Sequence, residues 1–526
     1  MIKTCKNCSE NFEITDDDLK FYEDIGPDFN GKKYPISAPN LCPKCREINR
    51  LQFRNLKNLY KRKCDFSGKE IISGYSEKII SPIYHASIWW SDKWDPMDHG
   101  MDLDLNRSFF EQFKELFEKV PLLHLYWVNN ENCEYINGAA NCKNCYLSFN
   151  IDQCESMYYV TNAQKSQFCF DCYSIFGCEL CFQCVDCENC YNLFYSERSS
   201  SCSDSYFLID CKRCKDCIGC VNLIDKQYCI FNEQFSKDEY EKKKNQILNE
   251  RNYEEIHIDI LKKSLAFPKK YYYGHSNESF SGNNIRNAKN SYACFESYEI
   301  ENCKYCDYIF HAKNCMDYNI FGNHSEWIYN SIATGINCSN NICCMGCWQS
   351  SSNNFYCNMI NGCTNCFGCS GLKKKNYCIL NKQYTKEEYE ILVPKIIQKM
   401  IENDEWGEFF PKELSPFSFE ESIASDYYPE QKNEHIVKAG KETDGCIECG
   451  KHFKVIQQEE NFYNKNNLSL PKKCPKCRDK ARMKLRNPKK LWTRACSKCG
   501  TGIQTSYSSD RPETVYCEAC YLASVY

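Results

Sequence analysis

From Cys133 to Cys229 the sequence places seventeen cysteines, and every one falls at the same position of a three-residue count. Other residues in that register are mainly small or apolar, among them Ile136, Ala139, Ile151, Val160, Leu193 and Leu208. One residue in three therefore faces a continuous narrow interior. An α-helix cannot hold this register, because 100° per residue makes the stripe drift, and a plain strand alternates faces with period two. A polyproline-like rod has the right period, but at about 3.1 Å per residue it would reach roughly 300 Å with nothing to bury against. Coiling the chain back on itself removes the difficulty. Ten of the seventeen cysteines follow Asn, Asp or Gly, residues that tolerate a left-handed backbone at corners, as at Asn132, Asn141, Asp171 and Gly177. The expected fold is mainly β: short strands bent at those corners into a β-solenoid whose thiols stack inward.

A second copy follows. CKDCIGCVNLIDKQYCIFNEQFSKDEYEKK, from Cys214, matches CTNCFGCSGLKKKNYCILNKQYTKEEYEIL, from Cys363, 149 residues on. In this copy the register holds from Cys294 to Cys315, slips by Cys338 and resumes at Cys357, as a bulge or longer corner would produce. Ser236-x-x-Glu239 and Thr385-x-x-Glu388 are capping boxes that open a helix at the end of each copy, and Ser108 with Glu111 opens another before the first. Such helices can cover a solenoid's open edge.

The two ends are built alike. Cys5-x-x-Cys8, Phe21-Tyr22 and Cys42-Pro-Lys-Cys45-Arg46 return as Cys446-x-x-Cys449, Phe462-Tyr463 and Cys474-Pro-Lys-Cys477-Arg478. Four thiolates from two knuckles suit tetrahedral zinc in a structural role. Downstream, FRNLKNLYKRKC64 parallels LRNPKKLWTRAC496, which opens a further set: Cys496, Cys499, Cys517 and Cys520. Near the N-terminus the aligned positions hold Cys64, Ser67, His85 and Ile88. Three zinc ions are expected, with no metal at the fourth position. The expected division is 1–100, a zinc module pair with a degenerate second finger; 101–129, a helical connector; 130–265 and 266–400, the two cysteine-rich halves with their capping helices; 401–445, an acidic linker; and 446–526, a second zinc module pair.

The connectors inside the end modules are basic. Residues 472–494 carry eleven Lys or Arg against Asp479, and residues 46–63 carry seven against Glu47. Beside Tyr60 or Trp492 such stripes can hold RNA or DNA by charge and stacking, through Arg54, Lys57, Lys61, Arg62 and Lys63 at one end and Lys484, Arg486, Lys489, Lys490, Trp492 and Arg494 at the other. The alternative is a solvated helix between two metal sites. The formal net charge of -4 gives no global bias toward nucleic acid.

Three roles stand open for the central thiols: packing as small hydrophobes, metal clusters, and redox chemistry. With 43 cysteines and an opening MIKTCKNC that carries no apolar leader, the chain is expected in the reducing cytoplasm. No apolar run is long enough to span a membrane. Residues 401–445 hold twelve acids against four bases, which predicts an extended, solvated connector. Trp89, Trp90 and Trp94 offer a docking surface or, more simply, pack against the first helix. No GxxxxGK[ST], HExxH or GxSxG motif nominates a catalytic site. His311 and His324 are expected to be structural.

The paired-knuckle pattern at both ends resembles a small zinc-binding ribbon or treble-clef domain of bacterial proteins. The whole layout, with KRKC64, WWSDKWDP, the cysteine-dense middle and the FFP and LSPF segments around Pro411 and Pro416, resembles a cysteine-rich family of ultra-small bacteria. Some members of that family carry the label of CaiB/BaiF-type CoA transferases, an activity for which these residues give no basis. The expected function is a non-enzymatic zinc-binding scaffold or adaptor, docking on RNA, a ribonucleoprotein or a protein partner. The alternative is metal storage or thiol redox chemistry by the central cysteines.

Overall fold

The computed structural model describes residues 1–250, 252–320, 322–429 and 445–525. Strand outweighs helix, 31% against 23%, which agrees with a mainly β chain. Short strands recur at Asn137–Ala140, Phe149–Asp152, Thr161–Gln164, Tyr173–Phe176 and Val185–Glu188. Each of the first four pairs in parallel with the strand twelve residues on, so that Ala139 lies beside Ile151, Ile151 beside Ala163, and Ala163 beside Ile175. Bridges from Glu131 to Lys143, Glu155, Gln167 and Glu179 keep the same step along another side. The chain thus returns beside itself every twelve residues and offers four inward positions per return.

The three-residue period has a backbone cause. The residue before each inward position has positive φ, near +50°, as at Asn141, Asn144, Asp186 and Asn189. These corners are more frequent than Asn, Asp and Gly alone marked. Leu147, Tyr159 and Phe168 adopt them too, at a cost of about 1–2 kcal/mol each that the packed interior offsets.

The central cysteines other than Cys133 are buried, and all of them but Cys133 and Cys343 form one continuous core in each half. Their thiols are also donors. Cys145 Sγ donates to the carbonyls of Lys143 and Cys154, at 3.3 and 3.8 Å, two residues back and nine ahead. Ser148 makes the same pair of bonds, to Tyr146 and Met157, at 3.0 and 3.2 Å. Cys169, Cys172, Cys181 and Cys184 repeat the pattern. Burial above all pushes the Cys184, Cys211, Cys294 and Cys344 thiols well up, so they stay protonated.

In the second half the slip in register is spread over three returns. Ser325 pairs with Ala312, Ser339 with Glu326, and Ser352 with Ser339, each thirteen residues apart; Thr364 then lies twelve from Ser352. Three added residues amount to one full period, which restores the register by Cys357. Cys343, displaced by the slip, faces outward instead, toward the carbonyl of Gly407.

Helices close the far end of each half. Thr385 and Glu388 form the expected capping box on Lys386–Glu402, and Ser236 with Glu239 makes the same contacts ahead of Lys237–Glu250. Ser108 caps Phe109–Lys119.

One expectation fails and a second is extended. Residues 401–429 are not a solvated connector: Trp406, Phe409, Phe410, Leu414, Phe417 and Ile423 are buried against the second half and the N-terminal module. Their aromatic spacing outweighs their acidity, because burying such rings is worth far more than hydrating a few exposed carboxylates. Residues 430–444 of the expected connector lie outside the described residues. The three tryptophans meet the second half as well as the end of the first helix: Trp94 packs on the cluster that holds Phe109, Phe113 and Val120, and Trp89 Nε1 donates to the Pro121 carbonyl at 3.0 Å. They surround the Lys373 ammonium, which lies 4.6, 5.6 and 5.3 Å from the rings of Trp89, Trp90 and Trp94.

Candidate metal centres and the modules that carry them

Among the described residues, three cysteine tetrads meet the geometry of a metal site: Cys5, Cys8, Cys42 and Cys45; Cys446, Cys449, Cys474 and Cys477; Cys496, Cys499, Cys517 and Cys520. Within each tetrad the sulfurs lie within 4.8 Å of one another, and Cys8–Cys42, Cys449–Cys474 and Cys499–Cys517 are each 3.7 Å apart. Tetrahedral coordination at about 2.3 Å places sulfurs about 3.8 Å apart, so the residues present fit a four-thiolate ion with little movement.

The knuckles prepare the thiolates. Ser9 N–H, with φ of 61°, returns to the carbonyl of Cys5, and Gly450 and Gly500 do the same for Cys446 and Cys496. The backbone N–H of Cys42 donates to Cys5 Sγ at 3.3 Å, and that of Cys517 to Cys496 Sγ at 3.2 Å. Burial raises the Cys5 thiol, but the N–H groups of Cys42, Cys8 and Asn7 outweigh it and bring it down to about 6. Cys446 and Cys496, cradled alike, also fall to about 6. Desolvation pushes Cys45 up to about 11 and Cys520 up to about 12. Each tetrad therefore holds at least one thiol drawn toward the thiolate, and metal uptake releases the protons that remain.

The fourth module keeps the frame around a single thiol. Tyr60–Lys63 and Glu70–Ser73 form the hairpin that Trp492–Ala495 and Gly502–Thr505 form at the other end. Gly68 N–H returns to the Cys64 carbonyl, and His85 N–H donates to Cys64 Sγ at 3.4 Å. The His85 ring lies 4.5 Å from that of His124, with its Nδ1 bonded to Ser87.

What the modules grip is the less legible part of the molecule. Pro43–Gln52 follows one CPxC knuckle and Pro475–Lys484 the other. From the first helix Arg46 makes two bonds to Asp317, at 2.6 and 3.2 Å, and Arg50 donates to Asn319 and Asn330, both at 2.6 Å. From the second, Arg482 meets Asp171 at 2.7 Å, while Arg478 reaches Asp171 at 3.1 Å and Glu459 at 2.6 Å. All are buried. The N-terminal module thus clamps the second half and the C-terminal module clamps the first. The aromatic pairs follow: Phe21 stacks on Trp327 at 6.1 Å, and Phe462 on Phe170 at 4.0 Å. The two modules also meet each other reciprocally. Lys57 pairs with Asp479 at 2.7 Å, and Lys489 approaches Glu47 at 4.0 Å while pairing with Asp307.

These contacts settle where the basic connector residues sit. Arg54 and Arg62 are buried, the latter on Asp65 and the Ser76 carbonyl. Lys57 is held between Asp479 and Asp426. Arg486 lies over Tyr173 and Tyr427 and donates to the Tyr173 hydroxyl. Lys489 is 8% exposed, and Arg494 donates to the carbonyls of Ser508 and Glu513. Those six cations are spent inside the molecule: they lie in the loops and strands that follow the two helices, and they face acids, rings and carbonyls of the same chain. Lys61, Lys63, Lys484 and Lys490 remain exposed, and Trp492 is half-exposed with the Lys490 ammonium 5.1 Å from its ring. The arginine pairs four residues apart, repeated in both helices, were the available sign of the clamp; their partners Asp171 and Asp317 carry no local signal.

His311 and His324 stack at 5.1 Å, and His311 pairs with Glu299. No helix among the described residues is long and apolar enough to cross a membrane. No protein-family model and no curated protein matches the chain.

Proposed function

We propose that the chain is a non-enzymatic cytoplasmic scaffold, two cysteine-cored β-solenoid halves locked by terminal modules that each fold around zinc and dock on RNA or a ribonucleoprotein. The observation that carries this reading is the division of labour among the thiols. Central sulfurs serve as buried filler and as S–H donors to carbonyls, interchangeable with serine, whereas the terminal sulfurs gather in fours. Four-thiolate sites with no open position are structural, and zinc is the ion that such soft tetrahedral sets favour. Its coordination would fix the Cys42–Cys45 and Cys474–Cys477 knuckles, and with them the helices whose arginines clamp the halves. Free thiols in this number require a reducing compartment, which supports the cytoplasmic assignment.

Elemental analysis of protein purified under reducing conditions tests the reading. About three zinc ions per chain is the expected result; many more soft metal ions per chain would instead establish storage by the central cysteines.

A further inference from the structure

The two clamp helices are equivalent residue by residue, 432 positions apart: Cys42 with Cys474, Arg46 with Arg478, Arg50 with Arg482, Arg54 with Arg486, Tyr60 with Trp492. Their inner faces do the same work, yet their outer faces differ. On the N-terminal helix the outer positions are Lys44, Ile48 and Gln52; Lys44 is exposed, but the chain's own residues 410–428 cover the other two and reach Lys44 at its edge. Lys44 lies 5.6 Å from the ring of Tyr428, Asn49 donates to the Phe410 carbonyl, Ser415 donates to the Gln52 carbonyl, and Ile48 is buried beside Ile423. Tyr60 donates to Glu421 of the same covering segment. At the C-terminal helix the equivalent positions are Lys476, Lys480 and Lys484, preceded by Lys472; all four are exposed, with Lys476 donating to Asn58 of the N-terminal module at 3.3 Å.

We propose that this outer face of Pro475–Lys484, with Lys472, Lys476, Lys480, Lys484 and Trp492, binds the phosphate backbone of single-stranded nucleic acid. The inference rests on the nucleic-acid reading above: it keeps Lys484 and Trp492 and replaces Arg486, Lys489 and Arg494, which are spent inside the molecule, with Lys472, Lys476 and Lys480. Lys476, Lys480 and Lys484, four apart on one helix, stand in a row at about 6 Å intervals, with Lys472 just ahead of its first turn, which suits a linear polyanion. The apolar anchor that seats the covering segment at the other end is absent, because Lys480 stands where Ile48 does. An acidic peptide would find charge there but nothing to bury. Trp492 stands where Tyr60 meets the covering segment and presents a half-exposed ring on which a base can stack.

The test is fluorescence anisotropy of labelled oligouridine and oligothymidine with the full-length, zinc-loaded chain over a range of salt; the stronger binder of the two identifies the source. Lys480→Ala with Lys484→Ala is expected to weaken binding about tenfold or more at low salt and to flatten the slope of log K against log salt by about 1.4, two phosphates' worth. Trp492→Ala is expected to weaken binding with the slope unchanged. Melting temperature and zinc content of the lysine variant should match the wild type, since both side chains are exposed. If the wild type binds and the lysine variant keeps its affinity and slope, this face is not the site, though nucleic-acid docking elsewhere stands. If neither oligonucleotide binds, that reading falls with this one, and binding of a peptide spanning 409–428 in their place would make the face a protein seat.

Discussion

Cys145 and Ser148 occupy successive inward positions and make the same two hydrogen bonds. At this scale a cysteine in the core is a serine with a larger, less polar head: it fills more of the narrow interior and still satisfies two carbonyls. Cys181, bonded to the carbonyls of Glu179 and Cys190, offers a direct check. Cys181→Ser keeps the donor and is expected to change stability by no more than about 1 kcal/mol in urea unfolding. Cys181→Leu overfills the interior and is expected to cost about 1–3 kcal/mol. Neither should alter metal content, whereas Cys477→Ser is expected to remove about one ion per chain by elemental analysis.

Elements depend on a few positions with no substitute. Gly282 opens the second half with φ of 145°, and a Cβ there would lie 1.8 Å from the carbonyl oxygen of Cys294 on the next return. Gly282→Ala is therefore expected to cost about 3 kcal/mol or more, read from the shift in denaturation midpoint. The clamp helices depend on their arginines. Arg482→Ala leaves Asp171, wholly buried, with Arg478 at 3.1 Å as its remaining cation. An uncompensated buried charge costs about 3–5 kcal/mol, and the surviving contact puts the expected loss near the lower figure. The periodicity, the duplication, the capping boxes and all twelve tetrad cysteines could be read from spacing, because each is a local or strictly repeating constraint. The covering role of residues 401–429 could not, because what those aromatics bury against lies hundreds of residues away in the sequence.

Across the whole molecule the two halves meet at ionisable groups. Glu296 of the second half accepts from Asn284 at 2.8 Å and from Ser174 of the first half at 3.3 Å. Burial, and then the nearby Asp186, raise its carboxyl to about 8; Asp307 adds to the rise, while Lys489 opposes it. The folded chain therefore holds a proton that an unfolded glutamate releases near pH 4.3, and stability is expected to fall as pH rises from about 4.3 to about 8. Thermal melts across that interval should show the decline, and Glu296→Gln should flatten it; an unchanged pH profile in the variant would assign the decline elsewhere. By itself the sequence determined the one-in-three interior, its duplication and the identity of the terminal tetrads, since sterics and ligand spacing act over a few residues. Only the tertiary structure decided which cations face inward and which face solvent. The same basic helix is amphipathic in charge type, and its orientation is set by buried aspartates in the opposite half of the chain.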